Sequence, residues 1–226
     1  MKKITDLTLP IEENWNWNVN MRLVCSHEAG DPWQITGYDL LSHEFTHIDS
    51  PKHHTPDGVD LDAYPLQDWA ITDCLILDVS YVGDNEEITA AMLEKANEPF
   101  KDKHYDTLII RSDRPRKVSW KTREFWDNSC WVSIDGALWI KDYNPKIVGY
   151  DFAQDYMIRK VPELKPKENI SQPVHDIVLK EGKILQVEFL TNLWEVPSPT
   201  CTFICLPIKL NHADGGQVRA IAVTEE

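Results

Sequence analysis

The chain has 226 residues, enough for one domain with a substantial core, and its 42% hydrophobic and 27% charged residues exclude wholesale disorder. Acidic residues outnumber basic ones by 37 to 23, so the formal net charge is −14. A surface of this charge repels phosphate backbones and anionic lipids, and we therefore expect neither nucleic acid nor a membrane as a partner.

The sequence also predicts a location for the protein. No stretch approaches the roughly 18 consecutive apolar residues of a membrane span. No apolar run of signal-peptide length follows the two lysines near the start. The five cysteines are odd in number and form no C-x-x-C pair, a pattern typical of reduced thiols. These features predict a cytoplasmic protein.

Strands outnumber helices among the elements that the sequence predicts. Apolar runs rich in β-branched residues indicate strands, and apolar side chains three or four residues apart indicate helices. In chain order, the predicted elements are strands at 4–11, 19–25 and 74–82, a helix at 86–97, a strand at 107–112, a helix at 133–139, and strands at 146–152, 183–190, 200–208 and 219–223. Asp84 or Asn85 is expected to cap the first helix. The strand-rich final third predicts an α/β or α+β chain with a mixed sheet rather than a plain doubly wound fold.

A histidine-rich segment is the strongest chemical signal in the sequence. Four of the eight histidines fall within HEFTHIDSPKHH (43–54), together with Asp49. Imidazole and carboxylate suit zinc, and also manganese or iron. In a straight strand His43 and His47 would stand about 13 Å apart, too far to share one ion. A metal site therefore requires a bend at 43–47, followed by an extended stretch that carries Asp49.

Two other hydrolase mechanisms find no support in this sequence. His47 lies one position too late to complete an H-E-x-x-H zincin motif with His43 and Glu44. No G-x-S-x-G element provides a serine nucleophile. A lone H-x-x-x-H pair would be a weak signal, because isolated histidines are more often structural, but the additional aspartate and the later histidines favour a metal site.

The segment His43–His53 resembles the H-x-G-T-H-x-D-x-P-x-H signature of the cyclase-like metal-dependent hydrolases, which include bacterial kynurenine formamidases and isatin hydrolases. The similarity continues through HHTPDGVDLDAYPLQDW and the apolar strand after it, and through the blocks at 174–197 and 202–223. It is weakest at 12–42 and 113–145. The resemblance implies the mixed-sheet swivelling β/β/α fold of this family, in one domain over residues 1–226, and a homo-oligomer, either a homodimer or a homotetramer.

The resemblance also assigns a set of metal ligands. It implies that His43, His47 and Asp49 bind a divalent metal ion, zinc or manganese, with one or two ions per subunit. His175 and Glu188 would complete that site or build a second one, with Asp49 and Glu188 as bridges. The sequence has one extra residue between His175 and Glu188 relative to the family pattern, which a β-bulge before the glutamate would absorb.

The remaining site residues are a proton-transfer histidine and an aromatic pocket. The resemblance makes His53 the general acid/base, with His54 as the rival. Adjacent side chains of an extended segment point opposite ways, so only one of them is expected to face the metal. Trp15 and Trp17 either pack at the edge of the core or in a subunit interface, or line a substrate pocket, and the resemblance favours the pocket. Phe45 replaces the glycine of the family motif, and its ring is expected to bend the loop differently or to fill part of the pocket.

These features predict a metal-dependent hydrolase that cleaves a small, non-peptide, amide-type C–N bond. Arylformamides and cyclic amides, imides or lactams are the expected small-molecule substrates, attacked by a metal-activated water. Two alternatives remain. The protein could be a binding module that keeps the metal loop without turnover, with Phe45 blocking the pocket. It could also be a metal-dependent lyase or dehydratase.

Overall fold

A mixed eight-stranded sheet is the central element of the computed structural model, which describes residues 1–17, 19–159 and 170–225. The strands within these ranges are β1 (Lys2–Asp6), β2 (Asn20–Cys25), β3 (Ile35–Asp39), β4 (His47–Asp49), β5 (Ile71–Asp78), β6 (Glu87–Ile88), β7 (Thr107–Arg111), β8 (Trp131–Val132), β9 (Ile147–Tyr150), β10 (Leu185–Glu188), β11 (Thr200–Pro207) and β12 (Gly215–Glu225).

The five α-helices of the described residues lie between β4 and β9 in the chain. They are α1 (Leu66–Trp69), α2 (Ala90–Asn97), α3 (Arg114–Lys117), α4 (Arg123–Asp127) and α5 (Ile134–Tyr143), and a π-helix over His175–Glu181 follows β9. Within the described ranges, every helix is too short or too polar to traverse a lipid bilayer.

The large sheet combines parallel and antiparallel pairs and closes on itself. Its order is β1-β12-β11-β5-β7-β9-β10-β4, and β12 also pairs with β4, which closes the strands from β12 to β4 into a ring with β1 attached beside β12. The strands β5, β7, β9 and β10 run parallel to one another, whereas the remaining pairs are antiparallel. The mixed sheet predicted from the sequence is confirmed.

The central strands are rich in apolar residues because both of their faces are covered. On one face Ile76 and Ile109 pack inside the closed sheet. On the other face Leu75 and Leu108 pack in a second cluster that includes residues of α2, α5 and the π-helix. Two-sided burial explains why β5 and β7 could be recognised as continuous apolar runs.

One predicted helix begins later than the sequence pattern indicated. The helix expected at 86–97 starts at Ala90, and Thr89 rather than Asp84 or Asn85 precedes its first turn. Residues 87 and 88 form β6 instead, which pairs in parallel with β8. Asn85 has a left-handed backbone with φ of 55°, so the chain turns there before it extends. The pairing with β8 is a tertiary contact that helix periodicity does not reveal.

The position of β4 determines the geometry of the site. This three-residue strand lies between β10 and β12, with His47 opposite Glu188 and Asp49 opposite Gly215. Because side chains alternate along a strand, His47 and Asp49 point to the same face. The cross-strand partner Glu188 lies beside them, so segments that are about 140 residues apart in sequence meet at one point.

Candidate metal centre

A tight bend brings the first two histidines of the motif together, as the spacing argument required. The ring centroids of His43 and His47 are 5.3 Å apart. At the centre of the bend Phe45 has a left-handed backbone with φ of 56°. The next residue anchors the bend, since the Thr46 hydroxyl donates to the carbonyl of Phe189 at 2.7 Å and accepts from the amide of Leu9 at 2.8 Å.

Five side chains form two overlapping groups, which we call the His43 half-site (His43, His47 and Asp49) and the His175 half-site (Asp49, His175 and Glu188). In the His43 half-site, Asp49 Oδ1 lies 2.7 Å from His43 Nδ1 and 3.2 Å from His47 Nε2. In the His175 half-site, His175 Nε2 lies 3.1 Å from Glu188 Oε1 and 3.5 Å from Asp49 Oδ2. Asp49 therefore belongs to both groups through its two oxygens.

The outward nitrogen of each imidazole has a partner of its own. His47 Nδ1–H donates to the carbonyl of Phe45 at 2.8 Å, and His175 Nδ1–H donates to Asp155 Oδ2 at 2.6 Å. His43 Nε2 pairs with Asp214 Oδ2 at 3.0 Å. The opposite nitrogen of each ring is left to face the centre, which is the arrangement found around metal-bound histidines.

Asp49 provides the structural test of whether these residues fit a metal ion. The residue is fully buried, and its Oδ2 has no hydrogen-bond partner among the described residues, although His175 Nε2 faces it at 3.5 Å. A buried carboxylate oxygen without a hydrogen bond is costly, and a divalent cation would satisfy it. Three imidazoles and two carboxylates form a donor set that suits zinc, manganese or iron. The residues therefore fit the ion that the resemblance implies.

The pKa shifts of His43 and Asp49 in the ion-free chain show that the site favours a positive charge. Burial lowers the pKa of His43, but Asp49 and Asp214 outweigh it and raise the pKa to about 9. Burial raises the pKa of Asp49, but His43 and His47 outweigh it and hold that pKa well below its usual range. A proton on the imidazole thus balances the buried carboxylate, and a metal ion would replace that proton on binding.

Both His53 and His54 line the cavity above the metal centre. The ring of His53 stacks on His43 at 3.6 Å, and the ring of His54 stacks on His175 at 4.4 Å. The expectation that only one of them faces the metal assumed an extended segment, whereas Pro51–His53 forms a 3-10 turn. Burial lowers the pKa of His53 to about 3 and that of His54 to about 4, so both rings are neutral at pH 7.

A cavity of about 560 Å³ opens directly onto both half-sites. Trp17, Trp126 and Phe189 provide its aromatic wall. Of Trp15, Trp17 and Phe45, the three residues predicted to contact substrate, Trp17 is part of this wall. Trp15 is partly exposed and lies edge-on to Trp126 at 6.4 Å, and Phe45 is buried behind Trp17 at 4.6 Å. Phe45 therefore supports the wall from behind and leaves the cavity open.

The segment between His175 and Glu188 contains a π-helix and an unbulged strand. The strand β10 pairs with β9 and β4 without a shift in register, so the bulge expected before Glu188 is not present. The segment that begins at His175 is a π-helix, whose wider turns take up an additional residue. Glu188 pairs directly with His47 across the two strands.

Sequence reasoning missed the two carboxylates outside the metal centre, Asp155 and Asp214. Asp155 ends the segment DFAQD that directly follows the buried strand β9, and the loop after the carboxyl end of a buried parallel strand is a usable signal. Asp214 immediately precedes the two glycines at the start of β12. An added Cβ at Gly215 would lie 2.7 Å from His43 Cε1, so this glycine is needed for the close approach of the ring.

The model of the putative cyclase family matches residues 5–154, which is more than half of the chain. The chain belongs to the cyclase family. Cyclase-like protein 3 of Oryza sativa subsp. japonica is 28% identical over 190 residues, which cover 81% of this chain and 63% of that protein. Kynurenine formamidase of Erythrobacter litoralis is 27% identical over 199 residues, which cover 86% of this chain and 79% of the relative. This cyclase-family chain therefore spans less than two thirds of the rice protein.

Solved structures share the fold of this chain. Isatin hydrolase A from Labrenzia aggregata, bound to benzyl benzoate, superposes with a TM-score of 0.80 at 18% identity and covers 100% of this chain and 94% of its own. A potential metal-dependent hydrolase with cyclase activity gives a TM-score of 0.69 at 20% identity, with both chains covered completely. The α/β fold class that the resemblance implied is confirmed.

Proposed function

We propose that this protein is a cytoplasmic, metal-dependent hydrolase that cleaves a small, non-peptide, amide-type C–N bond. The observation that carries the proposal is the shared carboxylate of Asp49, which links two groups of metal-binding side chains beneath an open aromatic cavity. The names of two similar proteins, a kynurenine formamidase and an isatin hydrolase, point to a formamide and a cyclic amide. All five cysteines are free, in keeping with a reducing compartment.

The five ligands support zinc or manganese, with one or two ions per subunit. Glu188 reaches both half-sites, since Oε1 lies 3.1 Å from His175 Nε2 and Oε2 lies 3.8 Å from His47 Nε2. Asp49 spans the same pair of half-sites. When bound, the divalent ion supplies a water acidified towards neutral pH and a positive charge for the carbonyl oxygen.

His53 is the proposed general acid/base because of its place in the cavity. Its ring covers His43, and one of its nitrogens lies within 4.8 Å of the facing atoms of His43 and Asp214. From there the imidazole takes a proton from the attacking water and passes it to the leaving nitrogen. His54 covers the other half-site and lines the same cavity, so the two histidines flank the space in which an amide would lie.

The aromatic wall indicates the class of substrate. Trp17 and Trp126 meet edge to face at 5.2 Å, and Phe189 lies 5.2 Å from Trp17 and 5.0 Å from Trp126. A flat aryl group packs well against such rings. A volume of about 560 Å³ suits a small molecule rather than a polypeptide. We therefore favour arylformamides and aryl-fused cyclic amides as substrates.

The hairpin formed by β2 and β3 supports a homodimer or homotetramer. Apolar side chains on this hairpin are exposed, among them Leu23, Ile35 and Tyr38. A two-stranded hairpin is only marginally stable by itself, and its exposed apolar surface would gain from being covered. A second copy of the chain is the proposed partner.

Turnover of a substrate panel tests the proposed activity. Metal-loaded protein is incubated with N-formylkynurenine, isatin and a series of cyclic amides and imides. His53→Ala should lower kcat by about 100- to 10,000-fold while the metal content is unchanged. The matched control is His104→Ala, because that exposed histidine stacks on Tyr143 and is not part of the cavity lining. Absence of turnover on every substrate, combined with tight ligand binding, would support a binding module instead.

A further inference from the structure

Asp155 has a buried carboxylate with three hydrogen-bond donors around it. The residue is 1% exposed and lies between β9 and the π-helix. Its Oδ1 accepts from the amide of Val174 at 2.9 Å. Its Oδ2 accepts from the amide of His175 at 3.1 Å and from the Nδ1–H of the same histidine at 2.6 Å. One carboxylate thus holds both the backbone and the ring of His175.

The contact with the ring has a direct consequence for metal binding. A carboxylate only accepts hydrogen bonds, so His175 must carry its proton on Nδ1. In the neutral ring that binds a cation the lone pair therefore lies on Nε2, and that nitrogen faces Glu188 Oε1 at 3.1 Å and Asp49 Oδ2 at 3.5 Å. The other tautomer would place a hydrogen at the centre of the His175 half-site and exclude a cation from it.

We propose that Asp155 is a positioning residue that sets the metal affinity of the His175 half-site by fixing the tautomer and orientation of His175. The inference rests on the metal centre of the proposed function and adds a residue to it. Carboxylate partners of metal-bound histidines typically change metal affinity by about 10- to 100-fold. Because Asp155 is buried, water cannot replace its carboxylate, and we expect the loss of metal affinity to lie near the upper end of this range.

Asp214 provides a matched comparison at the other half-site. It contacts His43 Nε2 at 3.0 Å, but its side chain is 45% exposed. Solvent can replace an exposed carboxylate, and such contacts contribute little, so its removal should change metal affinity by at most about fivefold. Both carboxylates contact the imidazole nitrogen opposite the one that faces the centre, but only Asp155 is buried and also accepts from two backbone amides.

The competing explanation is that Asp155 only anchors the start of the π-helix through the two backbone amides. Asp155→Asn has a side chain of the same size but one acceptor oxygen for three donors, so it disturbs both roles. A double-mutant cycle with His175→Ala separates them, because a residue that acts through His175 loses its effect once the ring is absent. A purely structural anchor would keep its effect in either background.

The experiment measures Zn²⁺ affinity of the full chain by competition with a chromophoric chelator, with thermal unfolding as the check on folding. Asp155→Asn should bind zinc about 10- to 100-fold more weakly than the wild type, and Asp214→Asn at most about fivefold more weakly. In the His175→Ala background, Asp155→Asn should change the remaining affinity by less than about twofold.

Two results would overturn the inference while leaving the proposed function intact. One is wild-type zinc affinity in a folded Asp155→Asn protein, and the other is an equal loss with and without His175. If the wild type itself binds neither zinc nor manganese, the proposed function and the inference fail together. A measurement on the wild type avoids any folding defect of the variants. In ¹⁵N NMR of the zinc-loaded protein, His175 should carry its proton on Nδ1, and a proton on Nε2 would refute the role of Asp155.

Discussion

Replacement of Phe45 by glycine tests how this chain tolerates a bulky residue at a left-handed position. Phe45 has φ of 56°, a conformation that costs a non-glycine residue about 1–2 kcal/mol. Its ring is 0% exposed and lies 4.6 Å from Trp17 and 5.9 Å from Trp120. Emptying a buried phenylalanine site costs about 3–5 kcal/mol. Because loss of the ring outweighs relief of the backbone strain, Phe45→Gly should lower the free energy of unfolding by about 1–4 kcal/mol.

Urea unfolding monitored by circular dichroism measures this difference, and tryptophan fluorescence reports on the wall of the cavity. Phe45→Leu is the control, since it keeps the left-handed backbone and most of the apolar volume and should cost less than about 1.5 kcal/mol. The emission of Trp17 should change in the glycine variant because its neighbouring ring is gone. A glycine variant as stable as the wild type would show that backbone strain dominates at this position and would refute the reasoning.

Three further predictions concern the metal, the approach of His43 and the hairpin. Removal of metal with a chelator should lower Tm and abolish hydrolysis, and addition of zinc or manganese should restore both; an unchanged Tm in calorimetry would contradict a metal bound to the folded chain. Gly215→Ala should weaken metal binding in a titration, because the new Cβ would meet His43 Cε1 at 2.7 Å. Gly216→Ala is the control. An added Cβ at Gly216 lies 3.8 Å from its nearest neighbours, so metal affinity should be unchanged. Leu23→Glu should convert the proposed oligomer to monomers in light scattering, and an unchanged oligomeric mass would place the interface elsewhere.

Local spacing predicted the bend that brings His43 and His47 together. The distance between His43 and His47 in an extended chain required a bend, and the structure has one, with the extended strand β4 after it. His175 and Glu188 could be assigned only through the resemblance, because their proximity depends on the pairing of β10 with β4. Register between distant strands is not encoded in any local pattern.

Other features depended on tertiary contacts that the sequence does not display. The left-handed conformation of Phe45 is supported by burial of its ring, although its residue type argues against that conformation. His53 and His54 both face the cavity because a 3-10 turn replaces an extended segment. Asp155 contacts His175 across 20 positions of sequence, so no local motif connects the two residues.

Anomalous diffraction from crystals grown with zinc or manganese tests the central claim most directly, because it locates the ion and identifies its ligands at once. We expect an anomalous peak between His43, His47 and Asp49, or between Asp49, His175 and Glu188, with peaks at both half-sites if two ions bind. Crystals saturated with either metal that show no peak at these five side chains would contradict it.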